Sequence, residues 1–199
     1  MRVLIAPDKF AGTLSAVDAA EAIATGWSRH APADELMLVP LSDGGPGFVD
    51  ILYSALGGSL RLSTVPGPLG EPTPATWLLV DGTAYIEAAQ ACGLGLVPPR
   101  ERRPLDSTTR GVGELLRAAL DGGATRVVVG VGGTASTDGG AGLIEALGMR
   151  WPDGVDLILA SDVESPLLGV YGAARMFGPQ KGASDAEIEV LEGRLTAWA

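Results

Sequence analysis

The chain has 199 residues, of which 24 are acidic and 14 are basic, so its formal net charge is −10. This acidic balance argues against a general polyanion binder, and we expect no nucleic-acid partner. Hydrophobic residues make up 46% of the sequence and charged residues 19%, which excludes a disordered chain and supplies enough apolar side chain for a substantial core.

The rare residue types exclude several kinds of site. Cys92 is the single cysteine, which excludes an internal disulfide framework and a cysteine-rich zinc site, and His30 is the single histidine, which argues against a histidine-based metal site or catalytic triad. The first ten residues hold too short an apolar run for the core of a signal peptide, and no stretch approaches the about 18 apolar residues of a membrane helix. The sequence therefore predicts a cytoplasmic protein without a membrane partner.

The first part of the chain alternates strands, loops and helices. An apolar run at residues 3–6 predicts a strand, and a helix is predicted from Ser15 onward. A strand at residues 36–41, a loop at residues 42–47 and a helix over Phe48–Leu56 repeat this unit. Such alternation favours a parallel sheet, with both loops at the carboxyl ends of the strands, where ligands bind.

The pattern changes after residue 60. A glycine- and proline-rich stretch at residues 67–74 is predicted to break any long element before a strand at residues 77–80. Asp81 and Gly82 then have the composition of a two-residue hairpin turn, so the strand predicted at residues 84–87 is antiparallel to its predecessor.

The rest of the chain returns to the order of strand, glycine-rich loop and helix. We predict an α/β fold with a Rossmann-like parallel-sheet domain at residues 1–64, completed by later chain, and a second, mixed α/β domain at residues 65–199. The remaining predicted elements are a helix at 108–120, a buried strand at 127–131, a helix through 147, a strand at 155–160 and a helix at 186–198.

Three loops that follow predicted strands carry a carboxylate beside lysine or glycine. Asp8 precedes Lys9, and Asp43 and Asp138 each precede two glycines. Glycines let backbone N–H groups approach phosphate oxygens, and a carboxylate can hold Mg²⁺ or accept a proton from an attacking hydroxyl. The alternative for each loop is ordinary turn and capping chemistry.

Two further segments carry signals for anion or nucleotide binding. Lys181 lies in a glycine-flanked loop ahead of a helix, which is typical of a phosphate-facing segment. Residues 130–135 fit the dinucleotide pattern G-x-G-x-x-A, with Asp153 downstream, so a nicotinamide-dependent oxidoreductase is an alternative. A Walker A loop is excluded because no Gly-Lys-Ser/Thr occurs in the sequence.

Taken together, these loops resemble the signature segments of the bacterial type of glycerate 2-kinase, the glycerate kinase type 1 family. Their order and spacing agree over nearly the whole chain, and the long glycine segment and the segment around Lys181 are unusual. The matching segments are Ala6-Pro7-Asp8-Lys9-Phe10, Ser42-Asp43-Gly44-Gly45, Gly67-Pro68-Leu69-Gly70, Gly130-Val131-Gly132-Gly133-Thr134-Ala135-Ser136-Thr137-Asp138-Gly139-Gly140-Ala141-Gly142, Ser161-Asp162-Val163 and Phe177-Gly178-Pro179-Gln180-Lys181-Gly182-Ala183.

The resemblance implies ATP- and Mg²⁺-dependent phosphorylation of D-glycerate at its 2-hydroxyl, which gives 2-phosphoglycerate. It also implies two α/β domains, one of them Rossmann-like, with the active site in the cleft between them. The partner is then a small-molecule substrate, and the oligomeric state is left open, with a homodimer among the options. The alternative is a non-catalytic relative that binds a small hydroxy acid or a nucleotide without transferring phosphate.

The sequence departs from the family pattern at several places. Ala11 stands where the family often has a second lysine, and Pro46 and Phe48 stand where it usually has glutamate and threonine. A further glycine-rich stretch that the family usually carries after the position of Gly154 is missing. Family chains also continue beyond Ala199 into another glycine-rich segment, so we expect this chain to correspond to the front part of such a protein.

The resemblance and the chemistry of the loops together assign roles to individual residues. Asp43 is the first choice for a base or magnesium-linked carboxylate, and Lys9 and Asp138 are the other predicted catalytic residues. Asp43 and Asp162 are the predicted magnesium ligands. The predicted contacts with phosphate or glycerate oxygens are Gly44, Gly45, Gly132, Gly133, Thr134, Ser136, Gly139, Gly140 and Lys181.

Overall fold

The computed structural model describes residues 1–10, 12–148 and 150–199, so the departure at Ala11 lies outside the described residues. The described residues form two sheets. The first is a parallel pair of β1 (Arg2–Ile5) and β2 (Glu35–Leu38), and the second contains, in spatial order, β3 (Ser59–Pro66), β4 (Pro72–Val80), β5 (Thr83–Glu87), β6 (Arg126–Gly130) and β7 (Asp156–Ala160). The helices are α1 (Ala16–His30), α2 (Phe48–Leu56), α3 (Ala88–Cys92), α4 (Arg110–Asp121), α5 (Ala141–Leu147), α6 (Ala173–Phe177) and α7 (Asp185–Trp198).

The five-stranded sheet is antiparallel at one side and parallel at the other. β3, β4 and β5 pair in antiparallel fashion, whereas β5, β6 and β7 are parallel. The two-residue turn between β4 and β5 has positive φ at both Asp81 (46°) and Gly82 (77°), as the predicted hairpin requires. A parallel sheet beside a mixed sheet confirms the predicted α/β class. The domain division at residue 64 stays a prediction, and β3 extends across that position.

Strand β4 begins at Pro72, so the prediction that the prolines break the chain before residue 77 is wrong. The N–H of Thr76 donates to Oε1 of Gln90 at 2.7 Å and not to β3. Pro74 lies two residues earlier, and its nitrogen therefore faces the same side of the strand. Strand β5 pairs only with residues 78–80 of β4, so the side of β4 that faces β5 has no strand partner at the prolines. Because a proline there lacks only an N–H that would have no partner, no hydrogen bond between strands is lost.

The core of the larger sheet lies on both of its faces. Ile86, Val127 and Leu115 are fully buried between the sheet and α4, and Leu78 and Val49 are fully buried where α2 covers the opposite face. Burial of one such side chain contributes about 1.5–3 kcal/mol. Helices therefore cover both faces of the sheet, and the loops at the carboxyl ends of its parallel strands lie at one edge.

The smaller sheet is attached to that edge through its loops. Beyond β2, the N–H of Val39 donates to the carbonyl of Ile5 at 2.8 Å and that of Leu41 to the carbonyl of Pro7 at 2.9 Å, so the pairing follows the predicted strand to residue 41. The N–H of Gly132 then donates to the carbonyl of Gly44 at 3.1 Å. Hence the loops that follow β1, β2 and β6 meet. No helix within the described ranges is long and apolar enough to cross a membrane.

Two helical glycines differ in the space around them, and this gives a test of the α4–α5 packing. A Cβ on Gly113 of α4 would overlap the carbonyl oxygen of Leu143 in α5, whereas a Cβ on Gly26 of α1 would meet nothing within 4 Å. Gly113→Ala should lower the free energy of unfolding by about 1–3 kcal/mol through overpacking. The control Gly26→Ala should raise it by about 0.5–1 kcal/mol, because alanine is the better helix former.

Urea denaturation followed by circular dichroism measures both effects. If Gly113→Ala stabilised the protein as much as Gly26→Ala, the close approach of α4 and α5 would be contradicted.

Candidate functional site

An ion pair links the loops after β1 and β2. Nζ of Lys9 donates to Oδ1 of Asp43 at 2.5 Å, and the N–H of Gly45 donates to the same oxygen at 2.8 Å. Asp8 is a weaker partner, since its Oδ1 lies 3.9 Å from the same Nζ. The first two residues chosen from the sequence, Lys9 and Asp43, are thus brought into direct contact.

The backbone of the loop after β2 lies directly against the backbone that follows β6. A Cβ on Gly44 would stand 2.5 Å from the carbonyl oxygen of Ala160, and one on Gly132 would stand 2.9 Å from both Cα and N of Gly45. Real Cβ atoms do not approach backbone atoms this closely, so only glycine fits at these positions. Two of the predicted glycines, Gly44 and Gly132, are therefore required by the packing of these two backbones.

Asp43 is held in its ionised form. Partial burial raises its pKa, but the hydrogen bonds from the Lys9 ammonium and the Gly45 N–H outweigh that effect, and the pKa lies below the ordinary value of 3.8. Oδ2 of Asp43 accepts no hydrogen bond from the residues that the structure describes. The carboxylate can therefore accept a hydroxyl proton or bind a cation through that oxygen.

Glu87 is a site residue that the sequence analysis missed. It ends β5, its side chain is only 5% exposed, and its Oε2 accepts the N–H groups of Gly47 (3.0 Å) and Val49 (3.3 Å) at the start of α2. Burial raises its pKa although these two hydrogen bonds oppose the shift. The only sequence signal was an isolated carboxylate between an apolar strand and a run of alanines. Because Glu87 occupies the N-terminus of α2, that terminus is closed to a phosphate.

Asp138 caps the N-termini of two other helices, α4 and α5. Its Oδ2 accepts the N–H and the hydroxyl of Thr109, both at 2.8 Å, and the N–H of Gly142 at 3.2 Å, while its Oδ1 accepts the N–H of Gly140 at 3.2 Å. These are the capping contacts that the alternative interpretation expected. Gly139, next to it, accepts a hydrogen bond from Nε1 of Trp198 at 3.1 Å. A catalytic role for Asp138 and ligand contacts for Gly139 and Gly140 stay predictions.

Lys181 belongs to a second group of polar residues. Its Nζ donates to the carbonyl of Ser136 and to Oγ1 of Thr134, the latter at 3.4 Å. The side chain is 9% exposed, and burial lowers its pKa to about 8 although the nearby Cys92 and Asp138 oppose the shift. The structure thus groups Lys181 with Thr134 and Ser136, and Lys9 with Asp43.

The two groups are joined by the glycine-rich segment after β6. Pro46 covers Gly133, since a Cβ on Gly133 would stand 2.6 Å from Cδ of Pro46. The N–H groups of Gly133 and Thr134 donate to no acceptor in residues 1–10, 12–148 and 150–199. Both residues directly follow Gly132, which packs on Gly45, so their N–H groups lie in the segment next to the loop of Asp43.

The predicted magnesium ligands lie at the same edge of the sheet. Gly44 packs on Ala160, two residues before Asp162, and Asp43 precedes Gly44. Across the described residues, no group of three or more histidine, cysteine, aspartate or glutamate side chains could hold a metal. Mg²⁺ usually binds one or two carboxylates together with water and substrate phosphates, so a larger cluster is not required, and the assignment of Mg²⁺ to Asp43 and Asp162 stays a prediction.

Cys92 is an inert part of the core. It is fully buried, and burial raises the pKa of its thiol to about 12, with a smaller opposing contribution from Ser136. A thiol with this pKa carries almost no thiolate at neutral pH, so Cys92 is not a nucleophile.

Comparison with known proteins identifies relatives over the whole chain. The model of the glycerate kinase family matches residues 3–156 and 152–199. The two ranges overlap at residues 152–156, around Gly154. An uncharacterized protein from Mycobacterium tuberculosis is 55% identical over 208 residues, which cover 100% of this chain and 54% of the relative.

Relatives named as glycerate kinases are similar over the same span. Glycerate 2-kinase from Escherichia coli is 41% identical and glycerate kinase from Bacillus subtilis 43% identical over 230 residues, each covering 100% of this chain and 60% of the relative. The crystal structure of a protein assigned as glycerate kinase 2 from Salmonella typhimurium LT2 superposes with a TM-score of 0.81 at 38% identity, over 100% of this chain and 62% of that one. The chain thus spans between about half and three fifths of the length of the relatives it matches.

Glu87→Gln tests how much the ionisation of the buried Glu87 carboxylate, at the start of α2, lowers the free energy of unfolding. The folded-state pKa of Glu87 lies above its ordinary value of 4.5, so its contribution to the free energy of unfolding falls as pH rises through that raised pKa. Glutamine keeps an oxygen acceptor for α2 but does not titrate. The stability of Glu87→Gln relative to wild type should therefore increase between about pH 4 and pH 8, as urea denaturation would measure.

Glu21→Gln, which removes an exposed carboxylate from α1, is the matched control. If the difference in free energy of unfolding between Glu87→Gln and wild type stays constant with pH, the destabilisation assigned to the ionisation of Glu87 is contradicted.

Proposed function

The chain belongs to the glycerate kinase family, and from this membership we propose that it binds ATP and transfers the γ-phosphoryl group to the 2-hydroxyl of D-glycerate. The relatives named as glycerate kinases support glycerate as the substrate. The name of the Escherichia coli relative, glycerate 2-kinase, supports the 2-hydroxyl as the acceptor. A cytoplasmic location and a homodimer stay predictions.

The contact between Lys9 and Asp43 is the observation that carries the proposal. Phosphoryl transfer demands mainly positioning of the reactants and neutralisation of negative charge. Lys9 supplies a cation at the edge of the sheet, and Asp43 supplies an ionised carboxylate whose Oδ2 can orient the substrate hydroxyl and take its proton. A loose transition state needs little basicity from that carboxylate, so its lowered pKa is compatible with the role.

The proposed phosphate contacts are made by hydrogen-bond donors that have no acceptor within the described residues. Glu87 and Asp138 already occupy the N-termini of α2 and α5. We therefore assign the phosphate oxygens to the N–H groups of Gly133 and Thr134 and to the ammonium of Lys9. The glycine backbones of the loops at residues 42–47 and 130–133 form the adjoining surface, where a substrate can approach the main chain closely.

Mg²⁺ would be held by Asp162, and by Oδ2 of Asp43 as the alternative to its role as a base. When bound, it supplies positive charge that offsets the charge of the nucleotide phosphates. Asp162 follows β7 and lies near the loop of Asp43 through the contact between Gly44 and Ala160. The chain's own contribution is then to present both carboxylates at one edge of the sheet while Lys9 offsets part of their charge.

A steady-state assay of ADP release tests the proposal. With ATP, Mg²⁺ and D-glycerate, the purified chain should release ADP at a rate that depends on glycerate. Lys9→Met and Asp43→Asn should each lower the turnover rate by about 100-fold or more, since both remove a group placed at the reacting atoms. Asp153→Asn, which alters an exposed carboxylate in a turn, should leave the rate unchanged.

The identity of the product provides the second readout. Phosphorus NMR of the product should show 2-phosphoglycerate and no 3-phosphoglycerate. Absence of glycerate-dependent ADP release, or equal rates for Asp43→Asn and wild type, would contradict the proposal. Binding of glycerate without turnover would favour the non-catalytic alternative.

A further inference from the structure

A buried carboxylate that the proposed phosphoryl transfer does not use lies at the same edge of the sheet as the site. Glu87 is the last residue of β5, and in the parallel part of the sheet it pairs with Gly130, which ends β6. Its side chain is buried. The loop of Asp43 and the glycine-rich segment after β6 lie at this edge too, so Glu87 is placed where it can act on both.

Glu87 fixes the end of the loop that carries Asp43. Its Oε2 accepts the N–H of Gly47 at 3.0 Å and that of Val49 at 3.3 Å. Gly47 is the last residue of this loop, and it has a φ of 96°. Both hydrogen bonds end on one atom of a buried side chain whose backbone belongs to the sheet. They therefore determine where the loop ends relative to β5.

The end of the loop is closely connected to Asp43 itself. The N–H of Gly45 donates to Oδ1 of Asp43 at 2.8 Å. Only Pro46 separates Gly45 from Gly47, and the proline ring restricts the backbone between them. A change in the position of Gly47 is therefore transmitted to the hydrogen bond that orients the Asp43 carboxylate.

The glycine-rich segment is held by the residues that directly follow Glu87. The N–H of Leu94 donates to the carbonyl of Gly133 at 2.8 Å, and the N–H of Ala135 donates to the carbonyl of Cys92 at 2.7 Å. Helix α3 begins at the residue after Glu87 and ends at Cys92. The stretch at residues 87–94 thus binds the glycine-rich segment through its backbone and the loop of Asp43 through the Glu87 side chain.

We propose that Glu87 is a positioning residue, which fixes the loop of Asp43 relative to the glycine-rich segment. The inference rests on the proposed function, in which Asp43 acts on the substrate hydroxyl and the glycine-rich segment binds phosphate. A displacement of about 1 Å between such groups can lower a reaction rate by about 100-fold. Glu87 acts through the backbone of the loop and contacts neither reactant.

This role requires the length of the Glu87 side chain and its oxygen acceptor, and it does not require the negative charge. Glutamine has the same length and keeps an oxygen that can accept both N–H groups. Aspartate keeps the charge but is shorter by one methylene, so its oxygens fall short of α2. Alanine removes the acceptor altogether. The three substitutions therefore separate positioning from an electrostatic effect of the carboxylate.

The rate of glycerate-dependent ADP release measures the effect on the proposed reaction. Glu87→Ala and Glu87→Asp should each lower the turnover rate by about tenfold or more, whereas Glu87→Gln should stay within about threefold of wild type. The matched control is Ser63→Ala, which removes the acceptor of the Trp77 indole N–H at 3.2 Å. Ser63 lies in β3, at the opposite edge of the sheet from β7, and its substitution should leave the rate unchanged.

Amide hydrogen exchange, followed by NMR, reports on the loop without any assay of activity. The Gly45 N–H is protected by its hydrogen bond to Asp43, and the N–H of Leu116 in α4 serves as the internal reference. Relative to Leu116, exchange at Gly45 should be about tenfold faster or more in Glu87→Ala. It should stay within about threefold of wild type in Glu87→Gln and in Ser63→Ala.

The two measurements separate failure of this inference from failure of the proposed function. If wild type shows no glycerate-dependent ADP release, the proposed function fails, and exchange at Gly45 then decides whether Glu87 positions the loop. Unchanged Gly45 exchange in Glu87→Ala, or a loss of turnover in Glu87→Gln as large as in Glu87→Ala, would overturn the inference. Circular dichroism verifies that each variant is folded, and if Glu87→Ala is not, Glu87→Asp takes its place in both measurements.

Discussion

The close contact of two glycine-bearing backbones is the constraint on which the rest of the site depends. Gly44 and Gly45, after β2, lie against Gly132 and the end of β7 with no room for a side chain between them. This contact attaches the smaller sheet to the larger one and places Asp43 at the carboxyl ends of β6 and β7. Lys9 then reaches Asp43 from the loop that follows the neighbouring parallel strand, β1. A substitution that separates the two backbones would move both charged groups away from the glycine-rich segment.

Two acidic side chains, those of Glu87 and Asp138, form hydrogen bonds that stabilise this arrangement. Glu87 and Asp138 both accept backbone N–H groups at helix starts, where a carboxylate also interacts favourably with the helix dipole. As a result, the helix N-termini that would otherwise attract an anion are already occupied. The protein therefore combines a net charge of −10 with helix starts that are capped by its own carboxylates.

Local patterns in the sequence predicted the elements that depend on local chemistry, and failed where partners come from elsewhere in the chain. Helix α2 and the Asp81-Gly82 hairpin follow from periodicity and turn residues, and the placement of the Lys9 and Asp43 loops at one edge of the sheet follows from their position after parallel strands. The start of β4 at Pro72 could not be read from its neighbours, because it depends on which side of the strand lacks a partner. Glu87 was missed because its hydrogen-bond partners lie about 40 residues earlier in the chain.

The affinity of the chain for Mg²⁺-ATP before and after Gly132→Ala tests the central role of the glycine contact most directly. A Cβ at this position would stand 2.9 Å from two backbone atoms of Gly45, so we expect at least about tenfold weaker binding in isothermal titration. Gly193→Ala in α7, where a Cβ meets nothing within 4 Å, should bind as wild type does. Unchanged affinity in a folded Gly132→Ala variant would contradict the account.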